Sequence, residues 1–152
     1  MLAVRIHETG GPDKLRVDEV PVPAPRAGEV RLEVAAAGLN FIDTYKRSGL
    51  YAVPLPHTLG QEAAGVITAV GEGVTDFRVG DRVAGAAVNG AYATEAVATA
   101  SQLVRVPQGV SPQLAAAVMV QGMTAHYLAC DTWPLQAGQA ALVHAAAGGV
   151  GL

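Results

Sequence analysis

Pro21-Val22-Pro23-Ala24-Pro25-Arg26-Ala27-Gly28-Glu29-Val30-Arg31-Leu32-Glu33-Val34-Ala35 decides the fold class. Proline at 21, 23 and 25 locks φ and removes three backbone donors, so this segment is extended and cannot be helical. Val30-Arg31-Leu32-Glu33-Val34 then alternates apolar with charged side chains, which is the period of a half-buried strand. Working outward, residues 2–7 and 15–20 alternate in the same way. Between them Thr9-Gly10-Gly11-Pro12 is turn chemistry. On the other side, residues 63–70 are rich in Val and Ile and lie between Gly60 and Gly71. Val79-Gly80-Asp81-Arg82-Val83 reads as a tight turn feeding a strand, and residues 91–98 and 102–106 as two further strands. Short strands at this spacing, punctuated by Gly and Pro, predict a small barrel or sandwich. Residues 40–49 interrupt the pattern as a short helix, with Phe41, Ile42 and Tyr45 on one side and Gly49 as its stop.

The character changes at Ser111-Pro112, an N-cap followed by a residue preorganised for a first helical turn. Residues 114–120 supply an apolar helix that Gly122 is expected to end or break, and residues 123–131 a second helical stretch. Trp133-Pro134 and Ala137-Gly138 read as loop. Residues 140–145 read as a short buried strand. The chain then closes on Ala146-Ala147-Gly148-Gly149-Val150-Gly151-Leu152. After a strand and before a helix, A-x-G-x-x-G is a dinucleotide fingerprint. Gly148 would admit a pyrophosphate to the backbone, Gly151 would let the helix pack close, and the first helical amides would face the phosphates. A small-residue turn explains the same letters equally well. The helix and flanking parallel strands that such a fingerprint needs do not follow. Nor does the ribose-reading residue expected roughly 20 positions further on. The chain is therefore read as a β-rich domain plus the first strand of a truncated Rossmann domain.

Composition narrows the function classes. Of 152 residues, 51% are hydrophobic, but 29 are alanine and 7 aromatic, so the core must be aliphatic. Charged residues are 15%, too few for a disordered chain. A net charge of −3 without blocks of like charge argues against a nucleic-acid surface. Cys130 is the sole cysteine, which excludes an internal disulfide and a cysteine-built zinc lobe and fits a reducing compartment. No apolar run is long enough for a membrane span, and residues 1–8 do not resemble a signal peptide. A cytoplasmic protein without membrane or nucleic-acid partners is expected.

Five stretches in order then carry a resemblance. They are Gly38-Leu39-Asn40-Phe41-Ile42-Asp43-Thr44-Tyr45 with Arg47-Ser48-Gly49-Leu50-Tyr51; Gly60-Gln61-Glu62-Ala63-Ala64-Gly65; Val79-Gly80-Asp81-Arg82-Val83; Gln121-Gly122-Met123-Thr124-Ala125; and His144-Ala145-Ala146-Ala147-Gly148-Gly149-Val150-Gly151. Together they resemble the quinone oxidoreductase (zeta-crystallin-like) branch of the medium-chain dehydrogenase/reductase superfamily, over essentially the whole chain. The resemblance implies a mostly β GroES-like catalytic domain with short helices, here residues 1–125. It implies the start of a Rossmann domain at 126–152, with NADPH in the cleft between the two. The implied activity is zinc-independent hydride transfer from NADPH to a quinone. Reduction of an enone or alkene is the alternative within the enzyme class. A non-catalytic GroES-like binding module is the alternative outside it, for a naturally truncated chain. The implied partner is a small-molecule quinone or enone, and relatives are often homodimers.

Zinc-dependent relatives carry Cys where this chain has Asn40 and His where it has Gln61. A catalytic zinc needs about three protein ligands, so no metal is expected. By resemblance Asn40, Phe41, Ile42, Asp43, Thr44, Tyr45, Thr124, Tyr127, Gly148, Gly149, Val150 and Gly151 bind the cofactor. Tyr51, Tyr45 and Asn40 are the candidates to orient the acceptor or donate to its developing charge. Each has a plainer reading. Asn40 and Asp43 suit a helix cap and first turn, Thr124 a hydroxyl bonded to its own helix, and the tyrosines ordinary packing. Glu62 suits structural hydrogen bonding. Cys130 and His144 read as buried, and His57 as a loop histidine.

Overall fold

The computed structural model describes all 152 residues, and its eight strands lie within residues 2–105. In one sheet, β1 (Leu2–Ile6) is flanked by β2 (Arg16–Glu19) and β4 (His57–Thr58). In the other, β3 (Glu29–Gly38), β5 (Glu62–Val70), β6 (Arg82–Gly85), β7 (Glu95–Thr99) and β8 (Val104–Arg105) lie in the order β7-β3-β5-β6-β8. Every pairing is antiparallel, and an isolated bridge joins Ala3 of β1 to Ala93 in the segment before β7. The mostly β architecture with short helices expected from the sequence is thus what the chain adopts.

The alternation in β3 works as its letters require. Val30 and Leu32 are fully buried, while Arg31 faces outward and pairs with Glu95 at 2.7 Å. The proline-rich residues 21–25 belong to no helix and join no sheet, since proline has no amide to donate. β5 is buried on both faces at its start. Ala63 and Ile67 join Val30, Leu32 and Val83 in one core layer. Ala64 and Ala84 form the other layer with Ala115, Ala116 and Met119 of helix α2 (Pro112–His126). No aromatic residue is buried, as the composition demands. Alanines on both sides let α2 lie close to the sheet. Because strand residues alternate faces, Glu62 shares the α2 side with Ala64.

Helix α1 (Phe41–Ser48) starts at the N-cap Asn40 and stops at Gly49, whose φ of 86° is left-handed. The Ser111 hydroxyl accepts from the Leu114 amide at 3.1 Å and starts α2.

The structure corrects several expectations. Gly122 does not end the helix. It lies inside α2, which continues through a π-helical turn at Tyr127–Thr132. A glycine there costs about 1 kcal/mol relative to alanine, and the flanking packing on β5 and β6 outweighs this. Residues 140–145 do not form a buried strand. No strand of either sheet pairs with them, all six are exposed, and Ala145 has a left-handed φ of 51°. Without a hydrogen-bonded neighbour residues 140–143 stay irregular, and a turn begins at His144. Cys130 and His144 are exposed for the same reason: no layer of the core covers them. The strand expected at 91–98 begins only at Glu95, because the Ala91 and Tyr92 amides bond to Gly60 and Leu59. No helix is long and apolar enough to cross a membrane.

Candidate functional site

The first turn of α1 places two polar clusters back to back. Asn40 caps with its backbone, donating its amide to Asp43 Oδ2 at 3.0 Å. That leaves its side chain for other work. Asn40 Nδ2 donates to Glu62 Oε2 at 2.8 Å, and Asn40 Oδ1 accepts from Gln121 Nε2 at 3.2 Å. Glu62 is fully buried, and its Oε1 accepts from the Val120 amide at 2.6 Å. A buried carboxylate is tolerable only with such donors. Gly38 makes room for it, since a Cβ there would lie 1.9 Å from Glu62 Oε2. The N-terminus of α1, the start of β5 and the middle of α2 therefore meet at one carboxylate.

Asp43 is equally buried but faces the other way. Its Oδ1 accepts from the Gly60 amide at 3.2 Å and its Oδ2 from the Tyr92 hydroxyl at 2.8 Å. Burial, and then the bond to the Asp43 carboxylate, push the Tyr92 phenol well above its ordinary range. Asp43 thus ties α1 to the loop before β5 and to the loop before β7.

Beside the first cluster runs a groove of about 720 Å³, lined mainly by small and apolar residues. Ala36, Gly38 and Leu39 form one wall, Gln121 and Gly122 of α2 another, and Gly149 and Val150 a third. A Cβ on Gly149 would come 2.6 Å from Gln121 Cγ, so only glycine allows this approach. Gly148 and Gly151 lie in successive turns, with the Gly151 amide bonded to the Gly148 carbonyl at 2.9 Å. On α1 an aromatic ridge stands outside this wall. The rings of Phe41 and Tyr45 stack at 6.4 Å, and Tyr45 meets Tyr51 edge-on at 5.5 Å. Phe41 and Tyr51 are exposed, and Ile42 is half-buried.

The structure thus brings Glu62, Gln121, Gly149 and Val150 to one groove, with Asn40 bonded to its wall. Tyr45 and Tyr51 sit side by side. Two hydroxyls are satisfied locally: Thr44 donates to the Phe41 carbonyl at 2.7 Å and Thr124 to the Val120 carbonyl at 2.6 Å. Tyr127 stands half-exposed past the end of α2. The sequence reading missed Gln121 and Tyr92 as site residues. The signal that points to them is Glu62 itself, an acid opening an otherwise apolar strand, which must find donors when the strand is buried.

Asn40 and Gln61 carry carboxamides, which are not metal-ligating thiol or imidazole groups. No group of three or more His, Cys, Asp or Glu side chains is placed to hold a metal ion. His57 lies on β4, where burial first, and then Lys46 and Arg5, lower its pKa from the ordinary 6.5. The sign follows from linkage: below about pH 6.5 the unfolded chain takes up a proton that the folded chain resists, so stability falls as pH falls. Denaturant titrations from pH 7 to 5 are expected to show a decline that is shallower in His57→Gln. Equal slopes would remove His57 from this account.

The chain's likeness to known proteins is consistent with this geometry. Residues 26–136 match the alcohol dehydrogenase GroES-like domain. A quinone oxidoreductase of Pseudomonas aeruginosa is 50% identical over 145 residues, covering 94% of this chain and 45% of that protein. A 2-haloacrylate reductase of a Burkholderia species is 43% identical, covering 99% and 47%. The structure of Escherichia coli quinone oxidoreductase complexed with NADPH superposes with a TM-score of 0.96 at 41% identity, covering 99% of this chain and 47% of that one. The chain spans about half the length of the curated relatives it matches.

Proposed function

We propose, from the premise that the chain belongs to the alcohol dehydrogenase GroES-like domain family, that it provides the catalytic domain of a zinc-independent, NADPH-dependent quinone reductase. In this reading residues 1–125 are the catalytic domain and 126–152 open the cofactor-binding domain. The observation that carries the reading is the groove. Segments far apart in sequence, the end of β3, the middle of α2 and the glycine-rich turn, converge on it. The names of the matched relatives and the NADPH complex of one of them support the same assignment.

The residues present fit a nicotinamide nucleotide. Gln121 Oε1 is buried without a hydrogen-bond donor, and Gly149 leaves no space for a side chain against Gln121. Gly148 to Gly151 would hold the phosphates, and Asn40, Thr44, Tyr45, Thr124 and Tyr127 the nicotinamide half. NADPH, when bound, supplies a hydride to the acceptor. The protein's part is position and charge. The groove walls are largely apolar, and outside them the exposed rings of Phe41 and Tyr51 offer a platform for a planar ring. Tyr51 is half-exposed, which leaves its hydroxyl for an acceptor. It donates to the acceptor oxygen as negative charge develops there and regains its proton from solvent. Asn40 keeps one Nδ2 hydrogen beyond its bond to Glu62 for the same purpose.

The test is NADPH oxidation with a simple benzoquinone as acceptor. Tyr51→Phe is expected to lower kcat by about tenfold or more with little change in the KM for NADPH. An unchanged kcat where chemistry limits the rate would remove the donor role. The match to a 2-haloacrylate reductase favours a second reading, reduction of an activated carbon–carbon double bond. Parallel assays with a quinone and a haloacrylate decide between them.

A further inference from the structure

One consequence of the buried carboxylate reaches beyond holding the fold. Both Glu62 oxygens accept hydrogen bonds, Oε1 from the Val120 amide and Oε2 from Asn40. Asn40 must therefore turn its NH2 toward Glu62, as it does at 2.8 Å. Its carbonyl oxygen then faces α2, so Gln121 must turn its own NH2 toward Asn40, as it does at 3.2 Å. The end of this relay is Gln121 Oε1, which is buried and has no donor. An orphaned buried acceptor is costly, and a native fold retains few of them. This one belongs to a side chain that lines the groove.

We propose that Glu62 is a positioning residue that sets the polarity of the groove. Through Asn40 it fixes Gln121 with its carbonyl oxygen covered but unpartnered, so that a ligand that uncovers this oxygen as it enters the groove is selected for a hydrogen-bond donor, an amide N–H or a hydroxyl. The inference rests on the NADPH reading for the identity of the ligand, whose carboxamide and ribose hydroxyls both belong to this donor class. The relay itself stands on Glu62, Asn40 and Gln121.

Glu62→Gln is the informative variant, because it keeps the volume and reverses the relay. The new carboxamide must give its single oxygen to the Val120 amide and turn its NH2 toward Asn40. Asn40 then flips to accept and turns its own NH2 toward Gln121. Gln121 flips in turn and offers NH2, a donor, where the parent offered an acceptor.

Two measurements on the protein test this. The first uses no ligand. In the parent chain the side-chain NH2 protons of Asn40 are expected to give NOEs to the Glu62 methylenes, and in Glu62→Gln to the Gln121 methylenes. NOEs that do not move between the two proteins would overturn the relay. The second is equilibrium binding of NADPH and of its 3-acetylpyridine analogue, which keeps the carbonyl and the ribose hydroxyls but lacks the amide N–H. With the carboxamide as donor the parent prefers NADPH by about tenfold, the worth of one good hydrogen bond, and Glu62→Gln loses or reverses that preference; with a ribose hydroxyl as donor the parent binds both alike and Glu62→Gln weakens both. In Gln121→Met, weaker binding of NADPH alone assigns the donor as the carboxamide, and weaker binding of both ligands assigns a ribose hydroxyl. Unchanged binding of both overturns the proposal. If the parent binds neither nucleotide, the NADPH reading fails, and the NOEs still decide the relay.

Discussion

Replacing Asp43 with alanine is expected to destabilise the protein by about 4 kcal/mol, read as a lower denaturation midpoint at unchanged slope. Three donors converge on this carboxylate: the Asn40 amide, the Gly60 amide and the Tyr92 hydroxyl. The Gly60 bond is buried and the other two partly so. A hydrogen bond to a charged acceptor contributes roughly 1.5–3 kcal/mol, and alanine leaves the donors of all three without a partner in a space too dry to replace them. Asp43→Asn is a sharper probe. The amide keeps the volume but has one oxygen for three donors, so about half the loss is expected. A loss below about 1 kcal/mol for Asp43→Ala would mean that α1 is held mainly by apolar contact.

Gly65→Ala is expected to cost about 3 kcal/mol or more, although it adds a single methyl group. Gly65 faces Val34 across β3 and β5, where the register shifts between Val34 and Ala36. A Cβ at Gly65 would lie 2.0 Å from the Glu33 carbonyl oxygen, a backbone atom in the centre of the sheet. Such a contact cannot be relieved by a rotamer change. Strand β3 has to move, and both of its neighbours with it. Gly73→Ala is the control. Nothing lies within 4 Å of the added carbon there, but the φ of +78° is strained for alanine, at about 1 kcal/mol. Similar losses at the two positions would show that conformational strain, rather than the close approach of β3, governs Gly65.

The β-rich architecture was legible because it rests on local patterns. Alternation around Val30 and Leu32, turn glycines, and the Ser111-Pro112 cap each act within a few residues. The ends of elements were less so. Gly122 sits inside α2 because packing on the sheet outweighs an intrinsic preference that the letters alone express. Residues 140–145 have the composition of a strand, but a strand exists only with a neighbour to bond, and none is beside them. The candidate site divides in the same way. Asn40 announces itself as a cap, and the glycine-rich turn as a close approach. The partners of Asn40 were not legible, since Glu62 and Gln121 lie 22 and 81 residues away and meet it only through the fold. Glu62 showed the need for donors but not their identity.

The most direct test of the account is a titration of the isotope-labelled chain with NADPH, followed residue by residue by NMR. The account predicts saturable shifts at Gln121, Gly149, Val150 and Asn40, with the sheet formed by β1, β2 and β4 unmoved. Absence of saturable shifts, or shifts confined to that sheet, would contradict the assignment of the groove as a cofactor site.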